Sequence, residues 1–349
     1  MSAAKVTVVI PHFNGEEILR RCLQSLKNTD FNDFRILIVD NGSIDNSLNM
    51  VINEFPEADI IYSKKNLGYA GGCNLGILSS NSKYIVLLNN DTKVEPDWLT
   101  LLLRKIETQN NIAAVQPKIL SLQQPERFDY CGAVGGEIDV FGYPFARGRI
   151  FYTMEKDHGQ YDHSEEIFWA TGAAVLLRKS VLDKIGLLEE DFFAHMEEID
   201  LNWRMHLAGY KVVTEPDAVV YHQTGGTLGE DKFYKMVLNH RNNLLMILRN
   251  YSFITLLWLF PIRLCLEMLT IIGFFLKFNP KRSIAVLVGL VQVLINYKTV
   301  LKGRQLVGSI RILNDNNIFK KMYRSSIAID YFLKKITTFK DLHILSRNI

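Results

Sequence analysis

Four polar clusters stand where apolar runs stop. Pro11-His12-Phe13-Asn14 follows VTVVI, Asp40-Asn41 follows FRILIV, and Asn89-Asn90-Asp91 follows YIVLL. Between the last two lies a Gly-rich stretch carrying Asn66, Gly68, Gly71, Gly72 and Asn74. A buried strand that ends in carboxamides and a carboxylate either turns there or delivers those groups to a site. Each cluster alone is more often an ordinary turn or flexible loop. Together they would line one crevice with hydrogen-bonding groups and with glycines, which let backbone approach a ligand without a Cβ. That chemistry is nucleotide binding. Neither GxGxxG nor GxxxxGK[ST] occurs, so neither a dinucleotide fold nor a P-loop is supported.

The elements that must position these groups alternate. Continuous apolar strands are predicted over 5–10, 34–40, 59–65 and 84–89, each followed by a loop and an amphipathic helix. Apolar strands alternating with helices predict a parallel sheet covered on both faces. Such sheets bind ligands outside the carboxyl ends of their strands, where the polar clusters fall. The 349 residues allow one large domain with an appendage, or two domains, and 48% apolar against 22% charged residues is enough for a sizeable core. The four cysteines, Cys22, Cys73, Cys131 and Cys265, are scattered without CxxC spacing, which fits a reducing compartment and speaks against a disulfide framework or a zinc site. MSAAKVTVVI runs directly into a strand with no signal-peptide pattern, so a cytosolic catalytic part is expected.

The last third differs. Residues 298–349 hold 11 basic and 3 acidic residues, a net of +8, on a body of net −5. Nucleic acid and anionic lipid are the usual partners of such a basic segment. The two apolar stretches before it, 253–278 and 283–297, favour lipid, and no nucleic-acid partner is expected. The first is long enough to cross a bilayer but is interrupted by Pro261, Arg263 and Glu267, the last two one helical turn apart; the second is short for a crossing. Both read as interfacial helices, with Lys277, Lys281, Arg282 and the basic tail toward anionic headgroups. Core helices and true spans are the competing readings.

The set VVIPHFNG, ILIVDNGSIDNS, NLGYAGGCNLGI and LLNNDTKVEPDWL resembles the inverting family 2 glycosyltransferases, and the Asn-x-Gly-Tyr-Ala-Gly-Gly-x-Asn-x-Gly segment resembles bacterial rhamnosyltransferases especially. WATGAAVLLRKSVLDKIGLLEEDFFAHMEEIDLNWRMHLAGYKVV and VVYHQTGGT continue the likeness, in order, to about residue 250. The resemblance implies a GT-A fold with a mostly parallel central sheet over 1–250, a donor half of about 1–110 and an acceptor half of about 111–250. Apolar membrane-interface helices (251–297) and a basic tail (298–349) would follow, forming a C-terminal α-helical membrane-associated region.

By that resemblance Asn89-Asn90-Asp91 takes the place of the Asp-x-Asp metal motif. Asp91 would bind Mg²⁺ or Mn²⁺, and Asn89 would meet ribose or a metal-bound water. His222 matches the family's histidine ligand. Asp40 would accept from a pyrimidine ring N–H, with Pro11, Asn14 and Asn41 near the base, and Asn66, Gly71, Gly72, Asn74 and Asn90 would border sugar and diphosphate. MEEIDLNWR holds the expected base, carried over by position to Glu198, where the family usually has aspartate; Glu197 and Asp200 are its substitutes and acceptor-side neighbours. Trp169, Thr171 and Gly172 would frame the acceptor, although a core tryptophan rivals the first.

The expected reaction is single displacement with inversion, from dTDP-rhamnose or a UDP-sugar to a lipid-linked glycan. The setting would be O-antigen, capsule or cell-wall polysaccharide assembly at the cytoplasmic face of the inner membrane, the protein peripheral or monotopic. A sugar nucleotidyltransferase would need a Gly-rich start with basic residues for a triphosphate, which PHFNGEE lacks. A catalytically inactive membrane adaptor is the non-enzyme alternative, left open by Asn89 and Glu198. Donor sugar, linkage and oligomeric state are not legible.

Overall fold

The computed structural model describes residues 4–223 and 232–346. Thr224–Thr227, the end of the VVYHQTGGT motif, lie outside the described residues. The chain opens β1 (Val6–His12), α1 (Glu16–Leu26), β2 (Phe34–Asp40), α2 (Ser47–Glu54), β3 (Asp59–Tyr62), α3 (Gly68–Leu78) and β4 (Tyr84–Leu88). It continues β5 (Thr92–Val94), α4 (Trp98–Glu107) and β6 (Ile112–Ser121). After the short strands β7 (Gly136–Ile138), β8 (Pro144–Ala146), β9 (Arg149–Ile150) and β10 (Thr153–Met154) come β11 (Ala174–Arg178), α5 (Lys179–Ile185), α6 (Glu197–Leu207) and β12 (Lys211–His222).

One eight-stranded sheet, ordered β3-β2-β1-β4-β11-β6-β12-β5, carries the domain. β3, β2, β1 and β4 are mutually parallel, as are β6 and β12, while β11 and β5 run against their neighbours. The sheet is therefore mixed, with the parallel majority expected from continuous apolar strands: every residue of β1 and β4 is buried. Apolar clusters fill both faces, one around Val8, Ile38, Val86 and Trp98, the other around Val9, Leu87, Leu177 and Met205.

The Gly-rich stretch is not a loop. α3 starts at Gly68 and contains Gly71, Gly72 and Asn74. A Cβ on Gly76 would stand 2.2 Å from Val9 Cγ1, and one on Gly72 would stand 2.8 Å from Asn41 Nδ2. These glycines let a helix lie close against β1 and β2, which overrides their poor helix propensity.

Between Glu215 and Val219 β12 has a register irregularity against β6, and the strand then carries His222 to the sheet's polar edge. Beyond it, α7 (Lys232–Asn250), α8 (Phe253–Leu276), α9 (Pro280–Ile295) and α10 (Tyr297–Ile310) form a helical layer. Most of the segment 253–278 is one helix, α8, despite Pro261, and Arg263 and Glu267 do pair, at 2.6 Å. Both charges are buried on its protein side. The basic segment is not a loose tail. α11 (Asp315–Phe319), α12 (Ile327–Phe332) and α13 (Phe339–Ser346) return to the β7–β10 sheet, where Ile327 and Phe339 join a core with Phe145 and Ile150. Basic residues stay outside while interspersed apolar ones anchor the return.

Candidate active site

A cleft of about 230 Å³ opens at the carboxyl ends of β1 and β4. β4 ends in Asn89, Asn90 and Asp91, all three on its wall, and β12 brings His222 alongside. His222 is buried between two carboxylates: Nε2 lies 3.1 Å from Asp91 Oδ1, and Nδ1 lies 2.9 Å from Asp129 Oδ1. Burial alone would lower its pKa, but the hydrogen bonds to Asp129 and Asp91 outweigh it and hold the value well above the ordinary one. A proton thus sits where two carboxylates and an imidazole converge. A divalent cation can replace it, with Asp91 and His222 Nε2 as ligands and Asp129 orienting the ring through Nδ1–H, the carboxylate–histidine–metal arrangement. Asp129, Cys131 and His222 also bring ligand atoms within 4.8 Å of one another. The donor set fits a cation with oxygen and nitrogen preference at the cleft.

The cleft also holds the paired glutamates. α6 begins at Glu197, so Glu197 and Glu198 occupy its first turn, and both line the cleft. Glu198 is half-buried; its Oε2 is enclosed with no hydrogen-bond partner among the described residues. Burial pushes its pKa up to about 7, opposed by the backbone N–H groups around it. Glu197 is raised well above its ordinary range, by burial first and then by the charge of Glu198. The loop before them is strained: Phe193, His195 and Met196 have φ of 63°, 72° and 74°, conformations costing about 1–3 kcal/mol each in non-glycine residues.

Of the residues singled out in the sequence, Pro11, Asn41, Asn66, Asn89, Asn90, Asp91, Thr171, Gly172, Glu197, Glu198 and His222 all line this cleft. The other predicted residues do not line it. Asp200 is not on the cleft: fully buried, it binds Arg204 Nε (3.0 Å), Arg249 Nε (3.4 Å) and Asn250 Nδ2 (2.7 Å). Trp169 is a core residue whose ring packs on Gly136 while Nε1 donates to Glu137 O at 2.8 Å. Asn74 ties α3 to Leu188 through both halves of its amide. Gly71 and Gly72 are outside the cleft wall: Gly72 lies against Asn41 and Pro11, and Gly71 against Leu67 at the start of α3. Asn14 sits at φ 55° and accepts the Ile44 N–H, joining two loops. Asp40 is buried at the end of β2, where its carboxylate accepts the Ser43 N–H at 3.0 Å, and it is outside the cleft wall.

Several residues were given no role by the sequence reading. His12 joins Ser47 Oγ (2.9 Å) and Asn90 Nδ2 (2.8 Å), fixing the carboxamide beside Asp91. Tyr69 donates to Gly172 O at 2.6 Å and closes the cleft floor. His195, pushed down to about 4 by burial and Lys235, and Lys235 itself, stand at the rim. Asp129 was detectable only as one acid in an unremarkable RFDYCG stretch.

This mixed sheet with a polar cleft at its parallel strand ends is the GT-A arrangement, and the protein is a glycosyltransferase. The chain belongs to glycosyl transferase family 2, whose profile matches residues 7–186. It is 24% identical over 252 residues to the N-acetylglucosaminyl-diphospho-decaprenol L-rhamnosyltransferase of Mycobacterium tuberculosis, covering 67% of this chain and 81% of that one. It is 34% identical over 213 residues to the glycosyltransferase GlyA of Streptococcus pneumoniae, covering 60% of this chain but 29% of GlyA. The fold is similar to that of GalNAc-T7, crystallised with UDP, GalNAc and Mn²⁺ (TM-score 0.56, 14% identity, 70% of this chain and 48% of that one). It is also similar to mannosyltransferase PcManGT from Pyrobaculum calidifontis, in complex with GDP-Man and Mn²⁺ (TM-score 0.51, 13% identity, 91% and 86%).

Proposed function

We propose that this chain transfers a sugar, L-rhamnose from dTDP-rhamnose, to a lipid-linked glycan with inversion at the anomeric carbon. The observation that carries the mechanism is Glu198: an enclosed carboxyl oxygen without a partner among the described residues, held near pKa 7, in the cleft that Asp91 and His222 also line. A base needs access to the acceptor hydroxyl and a pKa near working pH. Glu198 takes the hydroxyl proton as the acceptor oxygen attacks the anomeric carbon. The bond from that carbon to the diphosphate breaks, and the nucleoside diphosphate leaves with the electron pair.

Asp91 and His222 would hold Mn²⁺ or Mg²⁺, which when bound neutralises charge on the departing diphosphate. The imidazole favours Mn²⁺. Asn41, Asn66 and Asn89 supply amide groups to the donor, and Thr171 and Gly172 border the acceptor. The rhamnosyl donor and diphospho-lipid acceptor are drawn from the name of the mycobacterial relative.

The protein is proposed to act at the cytoplasmic face of the inner membrane, lying on it through α8 and α9. The outer face of α8 exposes Phe253, Leu257, Trp258, Leu269, Ile272 and Phe275, and α9 exposes Leu287, Val291 and Leu294. An apolar face of this extent, flanked by Lys277, Lys281 and Arg282, suits an anionic bilayer surface.

Purified protein in detergent, tested with Mn²⁺ against a panel of nucleotide-sugars, should be stabilised most by dTDP-rhamnose and should hydrolyse it slowly. Preference for a UDP-sugar would replace the donor. Failure of every nucleotide-sugar to bind or turn over would support an inactive adaptor and overturn the proposal.

A further inference from the structure

The loop that carries the paired glutamates is held in shape by two neighbouring side chains of α7. Its geometry is unusual. Phe193 (φ 63°, ψ −58°) is the centre of a γ-turn closed by Ala194 N–H donating to Phe192 O at 2.7 Å, and His195 and Met196 follow at φ 72° and 74°. The γ-turn of this hand is rare and strained. A chain left to itself would relax to ordinary φ, and Glu197 and Glu198, which follow at once, would move with it.

We propose that Asn242, with Arg241 beside it, is the positioning residue that keeps this loop strained and so presents Glu198 to the cleft; the inference rests on Glu198 being the base. Asn242 is completely buried. Its Nδ2 donates to Phe192 O (2.9 Å), Ala194 O (2.9 Å) and His195 O (2.8 Å), two hydrogens shared among three converging carbonyls. Its amide cannot be reversed, because Oδ1 accepts from Arg241 Nε at 2.8 Å, and reversal would aim that oxygen at three others. Arg241 Nη2 adds bonds to Asp191 O (2.8 Å) and Phe192 O (3.2 Å).

The remaining carbonyls of the loop are also bound. Phe193 O accepts the Ala70 N–H at 3.2 Å, and Met196 O accepts the Asp200 N–H at 2.9 Å. On the α3 side only glycine fits: a Cβ on Gly68 would stand 2.4 Å from Phe193 O. The loop is thus clamped between α3 and α7. α7 is itself fixed on its other side, where Arg263 Nη2 donates to Asn243 Oδ1 at 3.0 Å and His240 Nδ1 meets Glu267 Oε2 at 2.9 Å. A polar side chain wholly inside the protein, spending its amide on the backbone just ahead of a catalytic carboxylate, acts on that carboxylate's placement.

The test compares Asn242→Ala and Asn242→Asp with Glu198→Gln, using the full chain in detergent, UDP and dTDP as binding probes, and the best nucleotide-sugar from the panel. The aspartate is isosteric but faces three carbonyl oxygens with a charge. Misplacing a reacting group by about 1 Å costs up to about 100-fold. Both Asn242 variants should lose about 10- to 100-fold in kcat, bind nucleoside diphosphate within twofold of the parent, and shift the midpoint of the kcat–pH profile. Arg241→Lys, a milder change, should do the same to a smaller extent and guards against an Asn242 variant that does not fold. Asn239→Ala, whose amide among the described residues bonds only its own helix at Lys235 O, should leave kcat unchanged. If Glu198→Gln is inactive while the Asn242 and Arg241 variants keep the parent's kcat and pH midpoint, the positioning role is refuted alone. If Glu198→Gln is fully active, the reading of the base falls, and the positioning role with it. Parallel loss of nucleotide binding and kcat in folded Asn242 variants would mean a merely structural role.

Discussion

Replacing Glu198 by glutamine separates a catalytic charge from a structural one. The side chain keeps its shape and loses its proton acceptor, so kcat should fall by about 10²–10⁴ while donor binding persists. The buried carboxyl also makes a prediction about stability. Its pKa rises from 4.5 to about 7 on folding, with burial as the cause. The unfolded chain therefore ionises first. Between pH 4.5 and 7 the native state holds the extra proton, and stability falls as pH rises through that window. At about 1.4 kcal/mol per pKa unit, the charge costs the native state about 3 kcal/mol above pH 7 and nothing below pH 4. Glu198→Gln should be more stable than the parent in urea at pH 8, by up to about 3 kcal/mol less the cost of an unpaired amide, and no more stable at pH 4. The same pKa places the acidic limb of kcat near pH 7, with activity about tenfold lower at pH 6 than on the plateau. Three measurements thus test one residue. A limb centred near 4.5, or a variant with parent kcat, would refute the reasoning; a stability gain equal at both pH values would show that ionisation is not its origin.

Asp129→Asn should weaken Mn²⁺ binding about 10- to 100-fold, because the ring of His222 loses the carboxylate that orients it; titration calorimetry with Mn²⁺ reads this without turnover, and unchanged affinity would remove Asp129 from the site. Asp200→Ala leaves Arg204 and Arg249 facing a buried gap and should destabilise the fold by about 3–5 kcal/mol. An undiminished Tm would contradict that placement, and an intact Tm with lost activity would restore Asp200 to the cleft. The full chain should float with liposomes, more so with anionic lipid, and high salt should release it only partly, since charge is screened and apolar burial is not. Leu269→Glu with Phe275→Glu should abolish flotation; soluble behaviour of the parent without lipid or detergent would defeat the interfacial placement.

The parts of the site legible in the sequence are those in which local pattern and function coincide. Apolar strands of β1, β2 and β4 break abruptly into polar residues, and this contrast points to Asn41, Asn89 and Asp91 without any knowledge of contacts. Glu197 and Glu198 stand out because two acids open a helix. The parts missed depend on contacts between distant segments. Asp129 acquires meaning only when β12 brings His222 to it across 93 residues. Asn242 lies in HRNNL on an amphipathic helix, where a carboxamide reads as a solvated face, yet it is buried against a loop 47 to 50 residues away. Gly71 and Gly72 misled in the opposite direction. A Gly-Gly pair signals a loop by propensity, whereas here the pair lies inside α3, which Gly72 and Gly76 let approach the sheet closely. Trp169 and Asp200 show the same rule for large and charged groups: composition suggests a site, and packing assigns a core.

The lie of α8 relative to a bilayer is bounded by what its protein face carries. At 1.5 Å per residue its 24 residues run about 36 Å, long enough to cross. Yet Thr255, Leu259, Arg263 and Glu267, spaced every four residues, are buried against the domain over about 18 Å of that length. Arg263 there pairs with Glu267, reaches Asn243 and stacks on Tyr143 at 4.1 Å, and Glu267 meets His240. A crossing helix would have to draw this network into hydrocarbon, with its protein partners, or leave Arg263 and Glu267 without them. Either is costly, since a charge at the bilayer centre is unfavourable by at least about 2.5–3.5 kcal/mol on its own. The proposed placement along the surface would avoid both: the outer apolar face would meet lipid, and the ion pair would stay sealed under the catalytic domain. In that orientation α7 separates the membrane-facing helix from the catalytic loop, with His240 and Asn243 turned to α8 and Arg241 and Asn242 turned to the residues that lead into Glu198.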